Sequence, residues 1–193
     1  MPIPPFNLDG VLPPFIGPDG PGGLFQHLSP YETDPLEVVS TFATTSKRCE
    51  ILRGLLNHRT ALRALGIVDG FQWLDGSFVE DKVPNDVDVV TFFHRPPAAA
   101  QTAEMVRLLR GSPDVFDRRR VKALHMVDFF LVDLNGTPEA IVDSTRYWAG
   151  VFAHCRATLI WKGMVRISLA DVNDADARTL LTYRTANLQQ GQP

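Results

Sequence analysis

The chain has 193 residues, of which 45% are hydrophobic and 21% charged, and it carries a net charge of −3. This length and composition indicate a globular domain with a packed core, and the mild negative charge argues against a non-specific nucleic-acid coat protein. No apolar run approaches the ~20 residues of a membrane span, and the N-terminus lacks the basic and apolar regions of a secretory signal. Cys49 and Cys155 have no metal-ligand spacing. We therefore expect a cytoplasmic protein with reduced thiols and no membrane partner.

The N-terminal region is rich in residues that break helices. Residues 1–35 contain nine of the fifteen prolines and five of the fourteen glycines, which predicts an extended arm. Apolar residues such as Val11 and Leu12 predict that this arm packs on the body. We predict a main domain over residues 36–170 and a C-terminal helix and tail over residues 171–193.

A strong helix is predicted from Ser46 to Gly66, because apolar residues recur there at helical spacing. Its polar side is basic, with one acid, Glu50, against Lys47, Arg48, Arg53, Arg59 and Arg63. Two interpretations stay open for these cations. They form either a solvated face or a surface for phosphates or an acidic partner.

Short strands and helices alternate along the rest of the chain. Strands are predicted at residues 71–74, 86–93, 121–134 and 164–169. Helices are predicted from Pro96-Pro97 to Arg110, around residues 143–152, and in the tail after Asp171. Because these elements interleave irregularly, we predict an α+β fold with a mixed β-sheet flanked by helices.

The most informative stretch is Gly76-Ser77 followed, after eight residues, by Asp86-Val87-Asp88. Alternate side chains of a strand share one face, so Asp86 and Asp88 point the same way. Two such carboxylates are either solvated on an exposed face or share a divalent cation, Mg²⁺ or Mn²⁺, which binds oxygen ligands. Gly76 allows close approach of the backbone to a phosphate, and Ser77 adds a hydroxyl donor.

This pattern resembles the signature of the nucleotidyltransferase superfamily related to DNA polymerase β. With Phe78, Lys82 and Pro84, it is most similar to a small bacterial group of minimal nucleotidyltransferase-like proteins. The resemblance implies a nucleotidyltransferase-like palm that transfers a nucleoside monophosphate from an NTP to a hydroxyl of an RNA or protein acceptor. It also implies a toxin–antitoxin or phage-defence setting with a toxin or antitoxin protein as partner.

The resemblance assigns roles to individual residues. Gly76 and Ser77 would hold the β- and γ-phosphates, and Asp86 and Asp88 would bind two metal ions. Further candidates for triphosphate binding are Lys82, Arg156 and Lys162.

A third metal-binding carboxylate is expected on the strand that precedes Asn135. Asp128 and Asp133 both qualify, but their opposite parity allows only one to face the site. We favour Asp128, because an unpaired carboxylate in the middle of a strand is costly to bury. Asp133 lies against the Asn135-Gly136 turn, where an acid needs no special explanation.

Two features favour competing interpretations. The loop 78–85 is short and lacks the arginine that many minimal nucleotidyltransferases carry after Gly-Ser, so Lys82 is its one cation. This favours, as an alternative, a catalytically degraded binding or regulatory module; a metal-dependent nuclease with the same carboxylates is a third hypothesis. The basic run 118–120, with Lys122, is either a solvated face or a contact for RNA or nucleotide phosphates.

Overall fold

The computed structural model describes residues 3–17, 28–170 and 172–190. Part of the predicted arm, residues 18–27, lies outside the described residues, as do 1–2, 171 and 191–193. The strands are β1 (Tyr31–Thr33), β2 (Gly70–Asp75), β3 (Val87–Phe93), β4 (Val127–Asp133) and β5 (Val165–Ser168). The α-helices are α1 (Pro35–Phe42), α2 (Ser46–Ala64), α3 (Thr102–Gly111), α4 (Pro113–Phe116), α5 (Arg118–His125), α6 (Pro138–Phe152) and α7 (Asp174–Gln189), and short 3-10 helices cover Gly76–Val79 and Pro97–Ala99.

The five strands form one mixed sheet in the order β1-β5-β2-β3-β4. β1 is parallel to β5 and β3 is parallel to β4, whereas β2 runs antiparallel to both of its neighbours. Helices flank the sheet, so the predicted α+β class with a mixed sheet is confirmed. Within the described ranges, no helix combines the length and the apolarity that crossing a membrane requires.

Alternation along β3 and β4 gives the sheet two different faces. Val87, Val89 and Phe129 join the main core, which also contains the apolar stripe of α2. Val90 and Phe92 point the other way, into a smaller cluster that includes Phe152 and Trp148 of α6. Because side chains alternate, Asp88 and Asp128 lie on this second face, beyond the apolar cluster.

The predicted strand 121–134 is wrong in its first half, where the chain forms helix α5. The Asp117 side chain caps this helix by accepting a hydrogen bond from the Arg120 amide, and Met126 ends it with a left-handed backbone at φ 55°. The chain then enters β4 at once. Helix α5 therefore lies directly beside the start of β4, and its cations lie near Asp128.

Other boundaries shift by up to about six residues. Helix α2 starts at Ser46, where Thr45 caps it, and ends two residues before Gly66, and α6 begins at Pro138 because Thr137 caps it. The helix predicted from Pro96-Pro97 is split, since a 3-10 turn comes first and α3 starts after a capping box formed by Gln101 and Glu104. These shifts leave the topology unchanged.

The basic residues of α2 do not all form a solvated face. Arg59 is completely buried, and it donates hydrogen bonds to Gln72 Oε1 at 2.8 Å and to the Ser168 carbonyl at 2.9 Å. It also forms a buried ion pair with Asp174 of α7 at 3.1 Å. Arg59 therefore joins α2, the sheet and α7.

The described part of the arm packs on the body, as predicted, since Val11 and Leu12 are buried. The Gly10 carbonyl accepts a hydrogen bond from the Asp81 amide at 2.7 Å, and the Leu12 carbonyl accepts one from the Gly163 amide at 2.7 Å. The arm thus connects the loop that follows Gly76-Ser77 to the segment that precedes β5. Strand β1 follows in the same region and completes one edge of the sheet.

Candidate functional site

Three aspartates lie at one level across three neighbouring strands. Asp88 of β3 is paired with Asp75 of β2 on one side and with Asp128 of β4 on the other. Directly opposed residues in a sheet lie about 5 Å apart, so the three side chains are neighbours on the same face. Asp86 precedes Asp88 by two residues and adds a fourth carboxylate. We call Asp86, Asp88 and Asp128 the aspartate cluster.

Helix α5 supplies cations to two members of this cluster. Lys122 Nζ lies 2.5 Å from Asp86 Oδ2 and 3.1 Å from Asp128 Oδ2. Arg118 binds Asp128 with two nitrogens, one of them Nη2 at 2.8 Å, and its guanidinium lies 4.3 Å from the centre of the Phe130 ring. These contacts, above all the one with Arg118, lower the pKa of Asp128.

Asp88 is the member of the cluster whose charge is least compensated. It forms no ion pair with any residue that the structure describes. Burial raises its pKa, and the neighbouring charges of Asp86 and Asp128 raise it further. The cluster therefore attracts a cation most strongly at Asp88.

The Gly76-Ser77 turn lies directly against Asp88. Gly76 has a φ of +79°, and a Cβ at this position would come within 1.9 Å of Asp88 Oδ2. Both the backbone conformation and the lack of space require glycine. The turn and the aspartate cluster are thus in contact, as the sequence motif suggested.

Lys162 holds this turn from inside the protein. Its side chain is 3% exposed, and Nζ donates to the Gly76 carbonyl and to Glu80 Oε1, both at 2.9 Å. It also lies 3.2 Å from Asp75 Oδ1. Burial raises the pKa of Asp75 to about 8, although Lys162 opposes the shift. Lys162 therefore positions the turn and has its hydrogen bonds within the protein.

Arg48 holds the following loop from the opposite side. It is buried and donates hydrogen bonds to the carbonyls of Phe78 at 2.7 Å, Glu80 at 2.5 Å and Lys82 at 3.1 Å. A loop poor in cations is thus fixed by a cation from α2. The sequence contained the signal, because Arg48 precedes Leu52 by four residues and lies on the apolar stripe of the helix.

A cavity of about 380 Å³ opens beside the turn. It is lined by residues 9–11 of the arm, by Asp75, Gly76, Ser77, Glu80, Asp81, Lys82 and Asp88, and by residues 151, 152, 154–158, 160 and 162. Five predicted nucleotide-binding residues, Gly76, Ser77, Lys82, Arg156 and Lys162, therefore lie on one cavity. The lining by the arm and by Asp75 was not anticipated.

Two exposed cations of this cavity differ in their contacts. Lys82 Nζ lies 2.5 Å from Glu80 Oε2, so its charge is already paired. Arg156 is exposed and has no ion-pair partner among the described residues, and its charge lowers the pKa of Asp88. Arg156 is therefore the cation of the lining that is available to a ligand.

The two candidates for the third carboxylate are in different places. Asp128 lies next to Asp88, whereas Asp133 lies at the other end of β4 and binds Arg95 Nε at 2.6 Å. Asp128 thus joins the cluster and Asp133 does not. Among the described residues, no three His, Cys, Asp or Glu side chains are grouped closely enough to form a ready metal site. Lys122 lies between Asp86 and Asp128 instead.

The comparisons with known proteins give one match. No curated protein and no solved structure matches the chain. A family described as "Family of unknown function (DUF6932)" matches residues 4–168, which include the described arm, the sheet and the aspartate cluster. Because the match covers most of the sequence, the chain belongs to the DUF6932 family.

Proposed function

We propose that this protein is a metal-dependent nucleotidyltransferase with a polymerase-β-like palm. It would transfer a nucleoside monophosphate from an NTP to a hydroxyl group of an RNA or protein acceptor. The observation that carries the proposal is the contact of Gly76 with Asp88. Because Gly76 has no side chain, the backbone of the turn lies directly against a carboxylate of the aspartate cluster. A phosphate held by the turn would therefore lie beside any cation that the cluster binds.

The cavity beside the turn suits a nucleotide in size and chemistry. Its volume of about 380 Å³ lies within the usual range of small-molecule sites. Val151, Phe152 and Ile160 provide an apolar side for a base, and Gly76-Ser77 provides a polar side for phosphates. Arg156 adds a cation, and guanidinium groups bind phosphate oxygens well.

The aspartate cluster suits Mg²⁺ or Mn²⁺, because both ions prefer carboxylate oxygens. Burial, followed by the negative charges of Asp86 and Asp128, raises the pKa of Asp88, and a bound cation would offset these effects. Asp86, Asp88 and Asp128 are the residues that would hold the metal. A bound divalent ion would neutralise charge on the reacting phosphate.

The proposed reaction is a displacement at the α-phosphorus of the NTP. The acceptor hydroxyl oxygen forms a bond to this phosphorus, and the bond from the phosphorus to the oxygen that bridges to the β-phosphate breaks. Pyrophosphate leaves with the electron pair of that bond, and the hydroxyl proton is lost to water. The chain contributes positioning of the triphosphate and electrostatic stabilisation, which are the main requirements of phosphoryl chemistry.

One observation favours the alternative of a degraded binding or regulatory module. Lys122 and Arg118 already pair with Asp86 and Asp128, and Lys82 pairs with Glu80. In this case the protein would bind an NTP without transferring the nucleotide.

The partners and the setting form part of the same proposal. A chain of this size would receive its RNA or protein acceptor from outside. NTPs and reduced thiols occur together in the cytoplasm, where we place the reaction. The toxin–antitoxin or phage-defence role, with a toxin or antitoxin as partner, rests on the resemblance alone.

Thermal melts with Mg²⁺ or Mn²⁺ and each NTP test the proposal. We expect one metal–NTP pair to raise the melting temperature of the wild type, and Asp86→Asn/Asp88→Asn to abolish the increase. Asp133→Asn, outside the cluster, should keep it. If no NTP stabilises the wild type with either metal, both the transferase and the nucleotide-binding module are ruled out.

A transfer assay separates the transferase from the binding module. The chain is incubated with α-³²P-labelled NTPs and cell-extract RNA or protein, and the labelled product identifies the acceptor. The transferase requires labelling that Asp86→Asn/Asp88→Asn abolishes. Stabilisation by an NTP without any labelling would instead support the binding module.

A further inference from the structure

We infer that Lys122, together with Arg118, takes the place of one of the two divalent ions expected in a nucleotidyltransferase, so that the chain binds a single divalent ion. This inference rests on the proposed function. It concerns how the positive charge of the site is supplied, and it makes helix α5 part of the site.

The position of Lys122 is that of a bridging cation. Its Nζ contacts an oxygen of Asp86, just before β3, and an oxygen of Asp128 on β4. A cation shared by these two carboxylates would have to lie between them, and the ammonium group already lies there. Arg118 completes the neutralisation of Asp128 by binding both of its oxygens.

Helix α5 holds these cations in place. The Asp117 cap fixes the start of the helix, the Val121 side chain is buried in the main core, and Met126 leads directly into β4. Arg118 and Lys122 are four residues apart, so they lie on one side of the helix. A short, anchored helix rather than a loop therefore positions the two cations.

Formal charges support the same conclusion. One divalent ion, one ammonium and one guanidinium carry together the same positive charge as two divalent ions. Asp88 is the one carboxylate of the cluster without an ion pair among the described residues, and it is also the one that contacts the Gly76 turn. A single divalent ion would thus complete the neutralisation of the cluster on the side of the nucleotide cavity.

The two sides of the cluster would then have different roles. The Asp88 side faces the cavity with Gly76 and Ser77, whereas Asp128 lines a separate groove with Arg118, Arg119 and Lys122 of α5. The groove is open to an acceptor that arrives from outside. There the Lys122 ammonium would stabilise the negative charge that develops on the acceptor oxygen during attack.

Counting bound Mn²⁺ tests the inference. Electron paramagnetic resonance titrations are made on the chain with an equimolar non-hydrolysable analogue of the NTP that stabilises it best. Mn²⁺ bound by the analogue alone is measured in parallel. We expect one Mn²⁺ per wild-type complex and two per complex of the variant Arg118→Gln/Lys122→Gln, in which both carboxylates are released.

The matched control is Arg119→Gln/Arg120→Gln, which removes the same charge from α5 without touching the aspartate cluster. It should bind one Mn²⁺, as should Lys122→Arg, which keeps a cation at the bridging position. Melting temperatures measured in parallel verify that each variant is folded.

The possible results separate this inference from the proposed function. Two Mn²⁺ ions in the wild type, or one in Arg118→Gln/Lys122→Gln, would overturn the inference and leave the nucleotidyltransferase proposal intact. A wild type that leaves the spectrum of the Mn²⁺–analogue complex unchanged, so that neither the ion nor the analogue binds to the chain, would overturn both.

Discussion

Asp75 and Asp88 lie directly opposite each other on β2 and β3, yet their surroundings differ. Asp75 is buried beside the Lys162 ammonium, whereas Asp88 has no ion-pair partner in the described part of the chain. The negative charge of this row is therefore concentrated at Asp88, beside the Gly76 turn. Such poorly compensated charge is typical of sites that bind a cation at a cost in stability.

Asp88→Asn should stabilise the protein in the absence of metal. The substitution removes a half-buried charge that is repelled by Asp86 and Asp128. A gain of about 1 kcal/mol, or about 3 °C in melting temperature, is the expected size for a chain of this length. Calorimetry in EDTA measures the change. A lower melting temperature would show that the Asp88 charge is compensated in the free protein.

Gly76→Ala should destabilise the protein and prevent stabilisation by metal and NTP. The added Cβ would require the left-handed backbone, at a cost of about 1–2 kcal/mol, and would displace the Asp88 carboxylate. Urea unfolding measures the loss. The control is Gly150→Ala on α6, where a Cβ meets nothing within 4 Å and the helix gains stability. Equal effects of the two substitutions would contradict this account of Gly76.

Asp174→Asn should weaken the attachment of α7. Asp174 is 2% exposed and pairs with both Arg59 and Arg63, so the substitution leaves the buried Arg59 guanidinium without its full counter-charge. Removing one partner of a buried ion pair costs about 3 kcal/mol. Urea unfolding should report this loss, whereas the exposed Asp176→Asn should change stability by less than about 0.5 kcal/mol. Similar values for the two variants would mean that the pair with Arg59 contributes no net stability.

Stability should fall on acidification because of His58. Burial lowers the pKa of His58 to about 4 in the folded state, from 6.5 in an exposed histidine. Between these two values the unfolded chain binds more protons than the folded chain, so the free energy of unfolding decreases as the pH falls from 6.5 towards 4. The contribution of His58 between pH 7 and pH 5 is about 2 kcal/mol.

Urea unfolding of His58→Gln at pH 7 and pH 5 tests this assignment. Glutamine cannot bind the proton, and it retains a donor for the Val115 carbonyl, which His58 Nε2 contacts at 2.9 Å. The variant should lose about 2 kcal/mol less than the wild type over this pH range. The exposed His94→Gln is the control and should keep the wild-type slope. An unchanged slope in His58→Gln would rule out His58 as the source.

The local part of the site was predictable from the sequence. Strand alternation placed Asp86 and Asp88 on one face and allowed only one of Asp128 and Asp133 to join them. The cost of burying an unpaired carboxylate in the middle of a strand favoured Asp128. Asp75 was not found, although it directly precedes Gly76. Its relation to Asp88 depends on the pairing register of β2 and β3, which the pattern within one strand does not contain.

Helix α5 was not predictable by the same reasoning. Its eight residues contain four cations and few apolar positions. The segment is therefore too short to show a helical repeat that differs from the pattern of the apolar strand that follows. Arg48 and Arg59 are a different case. Both lie on the apolar stripe of α2, and this position could have indicated buried arginines that bind carbonyls and an acid.

The arm has a practical consequence for how the chain can be divided. Its Gly10 and Val11 form one wall of the cavity, and Tyr31–Thr33 forms an edge strand of the sheet. Pro13 approaches Gly163 so closely that a Cβ there would come within 2.4 Å of the Pro13 carbonyl oxygen. A fragment that starts at residue 36 would therefore lose both a wall of the cavity and a strand, so binding studies require the arm and the body in one polypeptide.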